Sequence, residues 1–329
     1  MKILVTGVAG MLGANFSQWI LQHHPEHEIL GIDNFCTGFK ENVDDRVKFY
    51  EIDLIDHKAL EKVFEENRID YIVHMAAFAA EGLSDYVRRH TYNSNVIAST
   101  NLINCAINYG VKRFLFTSSI ASYGDLTPPF KEDMTQRPKD IYGLSKFVTE
   151  QDLRIAQEHH GLEYVVIRPF NVVGPKQALN SPYRNVLAIF INRILDGKSL
   201  QIFGDGSQTR AFSVIDDLLK PMWTALTDPK CANQTYNLGS ETKCSVKQLA
   251  DMVIRVVGKG EIEHLEPRHE VKLAWSAVTK AKCDLGFKDE TDLEDGVRQF
   301  WDYAQSYKRH PVETFKDIEI TAKLYSVWK

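Results

Sequence analysis

Tyr142 and Lys146 stand four residues apart in Tyr142-Gly143-Leu144-Ser145-Lys146, a spacing that sets a phenol and an ammonium on one face of a helix. A cation so close favours the phenolate, and a phenolate near working pH can take a proton from a sugar or alcohol hydroxyl. On spacing alone such a pair is more often a solvated helix surface. Upstream, Phe116-Thr117-Ser118-Ser119 ends an apolar run with hydroxyls. Ligands of open α/β sheets gather at such strand ends, where a hydroxyl can bond an oxygen undergoing oxidation.

Oxidation needs a hydride acceptor, and the first residues suggest one. Thr6-Gly7-Val8-Ala9-Gly10-Met11-Leu12-Gly13 places three glycines between a short strand and a helix. Bare backbone at Gly7, Gly10 and Gly13 lets a pyrophosphate approach the amides and the dipole of that helix. A tight turn without ligand would use the same glycines. The next strand ends Leu30-Gly31-Ile32-Asp33, 20 residues after Gly13. A carboxylate there accepts bonds from the ribose hydroxyls of adenosine and repels a 2′-phosphate, so NAD is expected rather than NADP. Asp53-Leu54 would meet the adenine edge, although Asp53 reads equally as a helix cap.

These residues must be positioned by alternating short strands and longer helices. Strands are expected at Ile3–Thr6, Ile29–Ile32, Val47–Glu51, Tyr71–His74, Arg113–Thr117 and Tyr164–Arg168, and helices at Met11–His23, Lys58–Asn67, Thr91–Tyr109 and Ile141–His160. The pattern predicts an α/β fold, a Rossmann-type doubly wound parallel sheet with a smaller, irregular C-terminal lobe. Residues 1–175 would form the cofactor half, with parts of 205–245 returning to it, and 176–329 the substrate lobe. In that lobe helices are expected at Arg184–Leu195, Ile215–Thr227 and Val246–Val257, with strands at Leu200–Phe203 and Thr235–Leu238.

Composition narrows the partner. The 329 residues carry 39 Lys+Arg against 44 Asp+Glu, a net charge of −5, and no basic block. Nucleic acid and anionic membranes are thus poor partners, and a small molecule is expected. Cys36, Cys105, Cys231, Cys244 and Cys283 form no Cys-x-x-Cys pair, and the histidines show no metal-ligand spacing, so no metal is expected. Scattered cysteines and the lack of an apolar leader point to the cytoplasm.

With these motifs in hand, the chain resembles the extended short-chain dehydrogenase/reductases, specifically the NAD-dependent nucleotide-sugar epimerases and dehydratases. The resemblance rests on the glycine loop, Asp33-Asn34-Phe35 with Thr37-Gly38, Asp53-Leu54 and His74-Met75-Ala76-Ala77. It continues through Ser118-Ser119 with Tyr123-Gly124, Tyr142 with Lys146, and Arg168-Pro169-Phe170-Asn171-Val172-Val173-Gly174-Pro175. Beyond these come Phe203-Gly204-Asp205-Gly206 and Thr209-Arg210-Ala211-Phe212. It implies that Tyr142 is the base, that Lys146 holds the nicotinamide ribose and tunes Tyr142, and that Ser119 bonds the sugar O4. Met11, Leu12, Asn34, Phe35, Thr37, Gly38, Ala76, Ala77, Phe78, Asn95 and Pro169 would join the cofactor contacts. Ser118, Asn171, Asn185, Val186, Gln201, Phe203, Arg210, Arg268 and Glu270 would bind a nucleotide-sugar, with Arg210 and Arg268 facing the diphosphate.

The dehydratase branch needs an Asp-Glu acid/base pair where this chain has Ile120-Ala121, which cannot move protons. The resemblance therefore implies a 4-epimerase, most simply of UDP-glucose and UDP-galactose through a 4-keto sugar, working as a homodimer through Thr91–Tyr109 and Ile141–His160. Other outcomes of the same site are a sugar-nucleotide reductase, a decarboxylase or a 2- or 3,5-epimerase; outside enzymes, a silent NAD-binding scaffold. Two departures bear on the sugar. Glu81 enters the segment after His74, with Arg88-Arg89 beyond it, and Trp275 stands where relatives vary the pocket wall, which would disfavour N-acetylated sugars.

Overall fold

A computed structural model describes residues 1–183, 185–267, 271–312 and 315–324. Arg268 and Glu270 lie outside the described residues. The expected strands form β1 (Lys2–Thr6), β2 (Glu28–Asp33), β3 (Lys48–Glu51), β4 (Tyr71–His74), β5 (Arg113–Thr117) and β6 (Glu163–Pro169). They lie parallel in the order 3-2-1-4-5-6, and the strand Gln234–Leu238 adds a seventh beside β6, also parallel. The reversal of direction between β1 and β4 is the switch point at which doubly wound sheets bind ligands.

β5 is buried along its whole length, as expected of a parallel strand covered on both faces. One apolar core, with Phe16, Ile20, Leu218 and Met222, packs Met11–His23 and Asp216–Thr227 on one face of the sheet. A second, with Leu60, Phe64, Leu102 and Leu153, packs His57–Glu66, Ala98–Asn108 and Ile141–His160 on the other. A third core lies in the C-terminal half, where Phe190, Ile191, Leu249, Val253 and Phe300 join the helices Val186–Leu195, Val246–Val257 and Leu293–Ser306.

The stretch expected as one helix, Thr91–Tyr109, is helical from Arg88 to Asn108 but passes through a π turn at Asn93–Ile97. That turn buries Asn95. Its amide clasps Phe78, accepting the Phe78 N–H at 2.7 Å and donating to the Phe78 carbonyl at 3.2 Å. π turns of this kind concentrate where a side chain must be re-aimed. All five cysteines are free. Among the described residues no helix is long and apolar enough to cross a membrane.

Candidate active site

A cleft of about 1490 Å³ runs along the C-terminal edge of the sheet, between the glycine loop and the C-terminal half. At one end, Gly7 adopts φ +71° and a Cβ there would sit 2.6 Å from the Ala76 nitrogen; a Cβ on Gly13 would meet the Gly7 carbonyl at 2.2 Å. The turn therefore tolerates only bare backbone. Asp33 is nearly enclosed, its two oxygens accepting the N–H groups of Ala9 (3.0 Å) and Phe35 (2.8 Å), and burial raises its pKa. Asp53 does not cap the helix that follows. Asp56 does, through the Ala59 N–H at 3.1 Å, while Asp53 borders the cleft and accepts from Asn34 Nδ2 at 2.9 Å.

The Tyr142 helix, Ile141–His160, enters the cleft with every amide of its opening residues occupied. Asp85 Oδ1 accepts the Ile141 N–H (3.1 Å), Ser84 Oγ the Tyr142 N–H (3.1 Å) and Asp140 Oδ1 the Gly143 N–H (2.7 Å). Gly143 lets the helix lie directly on the Ile120–Tyr123 turn, since a Cβ there would be 2.5 Å from the Ala121 carbonyl. Ser119 begins that turn, its Oγ accepting the Ala121 N–H at 3.1 Å, so Ser119 and Tyr142 share one wall of the cleft.

Lys146 lies one turn deeper and is almost wholly enclosed. Its Nζ donates to the Thr117 carbonyl at 2.8 Å and stands 5.8 Å from the Tyr142 ring centre. Burial pulls the ammonium down to about 7 against the counter-pull of Glu150. The pair is thus a buried cation behind a phenol facing the cleft, not a solvated helix surface. Beneath it, Glu150 receives Arg168 Nε (3.0 Å) and Nη2 (2.5 Å), Gln136 Nε2 (3.1 Å) and the Ser118 hydroxyl. Arg168 goes on to Tyr123 Oη at 2.6 Å, and Tyr123 to Asn237 at 2.8 Å, tying the ends of β5, β6 and the seventh strand together. Burial pushes the Tyr123 phenol up to about 12, so it serves as a neutral donor.

The opposite wall comes from the C-terminal half. Asn171, in a left-handed turn at φ +42°, donates to the Ala211 carbonyl at 2.9 Å. Arg210 is held by the carbonyls of Thr209 (3.0 Å), Val271 (2.5 Å) and Lys272 (3.1 Å), so its charge is fixed at the cleft. Asn185 caps Val186–Leu195 through the Ala188 N–H at 3.1 Å, while Gln201 and Phe203 border the cleft from the strand Leu200–Phe203.

The cleft also gathers Gly10, Met11, Leu12, Asn34, Thr37, Gly38, Leu54, Ala76, Ala77, Phe78, Ser118, Pro169 and Val186. Three of the residues singled out from the sequence lie off the cleft lining. Phe35 turns away, at φ +56°, to pack on Phe49 with ring centres 5.1 Å apart. Asn95 is engaged by Phe78 and Ser145 and stands behind the cleft wall. Trp275 packs against the first core under Lys243, whose Nζ is 4.6 Å from its ring, and it does not border the cleft, so its bulk sets no limit on N-acetylated sugars.

Asp85 and Asp140 are acids of the site that sequence reading missed. Asp140 had a visible signal, an Asp directly before a helical pattern. Its pKa is raised to about 7, by burial first and then by Glu81 and Asp85. Because this lies above the ordinary 3.8, ionised Asp140 costs the fold stability that is intact below pH 3.8 and fully lost above pH 7. Asp140→Asn keeps a capping oxygen and removes the charge. It is expected to raise Tm by roughly 3 °C at pH 8 and to leave it unchanged at pH 4, read by thermal melts. Outside the cleft, His24, Glu26 and His27 bring three ligand-type atoms within 4.8 Å of one another.

Residues 3–239 match the model of the NAD dependent epimerase/dehydratase family. A putative UDP-glucose 4-epimerase of Methanocaldococcus jannaschii is 30% identical over 313 residues, covering 93% of this chain and 99% of the relative. The UDP-glucose 4-epimerase of Thermotoga maritima, solved with UDP-glucose, superposes with a TM-score of 0.88 at 31% identity, over 93% of this chain and 99% of that one. The UDP-glucuronic acid 4-epimerase of Bacillus cereus, solved with UDP-glucuronic acid and NAD, gives a TM-score of 0.86 at 26% identity, over 93% and 99%. With its glycine loop, its Tyr142–Lys146 helix and this match over most of its length, the chain belongs to the NAD dependent epimerase/dehydratase family.

Proposed function

We propose that the chain is an NAD-dependent UDP-hexose 4-epimerase acting on a neutral hexose, most simply UDP-glucose and UDP-galactose. The observation that carries this reading is the meeting, in one cleft, of Tyr142 backed by buried Lys146, of Ser119, and of a side-chain-free glycine turn, with Ile120 and Ala121 where the dehydratase branch carries its acid/base pair.

The cleft fits NAD: bare backbone at Gly7 and Gly13 leaves room for a pyrophosphate, Asp33 stands at the end of β2, and Thr117 Oγ1 is a buried hydroxyl with no partner among the described residues. Gly7, Gly10 and Gly13 would hold the pyrophosphate, Asp33 the adenosine ribose and Lys146 the nicotinamide ribose. NAD, when bound, supplies the acceptor and donor of the C4 hydride. Tyr142 Oη takes the proton from O4 and returns it, while Ser119 Oγ holds O4 in place. Arg210 and Asn171 keep the diphosphate fixed, with Asn185 and Val186 behind it, so that the 4-keto sugar turns about a stationary anchor and presents its other face. Gln201 and Phe203 border the nucleobase end. In this reading residues 1–175, with parts of 205–245, serve the cofactor and 176–329 the nucleotide-sugar.

The test is turnover of UDP-galactose to UDP-glucose with no NAD added, followed by the proton signal at C4. Stoichiometric release of NADH or accumulation of a keto product would count against epimerisation.

The preference for a neutral sugar rests on Glu81, Asp85 and Asp140, which border the Tyr142 end of the cleft; Lys139, on the same wall, is paired with Asp125 at 2.8 Å. Glu81 and Asp85 are exposed and Asp140 is half-buried, so a hexuronate brought there meets like charge that solvent partly screens. UDP-glucose is expected to exceed UDP-glucuronate in kcat/KM by about fivefold, the scale of roughly 1 kcal/mol between solvent-screened charges. Equal values in a direct competition assay would remove this preference.

A homodimer is inferred from Ile97, Val148 and Ile155, which are exposed on the two helical stretches expected to pair. A light-scattering mass of one chain, 37.6 kDa, would contradict it.

A further inference from the structure

Past the helix Leu293–Ser306 two described stretches, 307–312 and 315–324, are fastened on opposite sides of the cleft. On the cofactor side the His310 ring stacks on Phe39, centres 3.8 Å apart and 18° between planes, and Nε2 bonds Glu41 at 2.7 Å. Asn180 Nδ2 donates to the Pro311 carbonyl at 2.9 Å from the facing segment. Phe39 follows Thr37-Gly38 directly, and its N–H donates to the Ala9 carbonyl of the glycine loop at 3.2 Å. Val312 itself borders the cleft.

On the sugar side Phe315 packs against Phe78 and His90, at 5.6 and 4.8 Å between ring centres. The Glu319 carboxylate accepts the N–H groups of Arg89 (2.9 Å) and His90 (3.1 Å), and Glu319 and Ile320 both donate to the Tyr86 carbonyl. Tyr86 Oη returns a bond to the Lys323 carbonyl at 2.8 Å. The segment so held carries Ser84 and Asp85, which occupy the first amides of the Tyr142 helix. A single run of chain thus bridges the loop that covers the glycine turn and the loop that seats the catalytic helix.

We propose that the stretches 307–312 and 315–324 act together as a strap on the cofactor cleft, with His310 and Glu319 as positioning residues, and that it must release at one end before NAD can enter or leave. The proposal rests on the reading of this cleft as an NAD site. An enzyme that reduces in the second half of its cycle what it oxidised in the first needs its cofactor to stay bound, and an anchored cover slows dissociation without touching the reacting atoms.

The test uses the full chain loaded with isotope-labelled NAD, with label loss followed by rapid desalting in excess unlabelled NAD. His310→Ala with Glu319→Gln, which removes the stack on Phe39 and weakens the hold on the Arg89 and His90 amides, is expected to speed label loss about tenfold or more, the scale of one lost charge-assisted bond. At saturating NAD its kcat should stay within about twofold of wild type, because no group that meets substrate has changed. A truncation after Ser306 should exchange faster still if it folds. His310→Phe, which keeps the stack, should lie between wild type and alanine. Label loss at the wild-type rate from the folded double variant overturns the strap alone. Failure of the unaltered chain to take up labelled NAD overturns the strap and the functional reading together, while slow exchange without epimerase activity leaves the strap standing and overturns only the reaction.

Discussion

Tyr142→Phe is expected to lower kcat by roughly 10²- to 10⁴-fold, the range of a lost general base, while UDP-hexose binding changes little. The phenol oxygen is the one group removed. The ring keeps its place in the cleft wall, and the backbone N–H of residue 142 still donates to Ser84 Oγ. Isothermal calorimetry with UDP-glucose separates the two quantities, and a parallel loss of affinity would show that Tyr142 holds the sugar instead of moving its proton. Lys146→Met should lose activity on a similar scale through a different route, since it removes the cation that favours the phenolate. Its stability should move the other way. The folded pKa of Lys146, about 7, lies below the ordinary 10.5, so the burial of its charge costs most at pH 7 and below and nothing above pH 10.5. An apoprotein that melts higher at pH 6 in the methionine variant, with its activity gone, would be the mark of a lysine kept for chemistry at the expense of stability.

How much of this was legible in the sequence depends on how local each signal was. Met11–His23 and Ile141–His160 have the bounds that their sequence predicts, because a glycine turn opens the first and Asp140 and Gly161 punctuate the second. The sheet order follows from strands alternating with crossovers, and the seventh strand was visible as Thr235–Leu238, although its partner β6 lies some 70 residues earlier and no local pattern names it. The helices Thr279–Leu285 and Leu293–Ser306 and the strand Ile262–Leu265 went unread. The π turn at Asn93–Ile97 is not written in periodicity at all; it exists because Asn95 must reach Phe78, a contact across 17 residues. The same holds for the acids of the cleft. Glu81 was noticed by type, but its company with Asp85 and Asp140 arises only when the loop after β4 caps the Tyr142 helix. The strap is the extreme case. Its apolar anchors, Phe315 and Ile318, follow neither a helical nor a strand period, and what they cover is more than 200 residues away in the chain.

Glu150→Gln is the second substitution expected to have a large effect, and it separates scaffold from chemistry. Glu150 and Arg168 are enclosed, with side chains 4% and 5% exposed, and joined by two hydrogen bonds. Removing one charge strands the other in the interior, and such breaks cost about 3–5 kcal/mol when the partner is deleted, with a glutamine that keeps one acceptor near the lower end. A drop in Tm of roughly 5 °C or more is expected for a chain of this size. Replacing Arg168 by methionine in the same protein should restore part of the loss, because an unpaired guanidinium is then no longer buried. The catalytic consequence follows from position. Glu150 lies one helical turn beyond Lys146 and is the charge that holds the ammonium's pKa up against burial. With Glu150 neutral, that pKa falls further and the cation is lost at a lower pH, so the alkaline limb of the kcat profile should move toward acid. The shift must appear at a temperature well below the melt of the variant, where folded protein is constant across the profile. An unmoved alkaline limb beside a lowered Tm would assign Glu150 to the scaffold alone, and the tuning of Lys146 to the low polarity of its site.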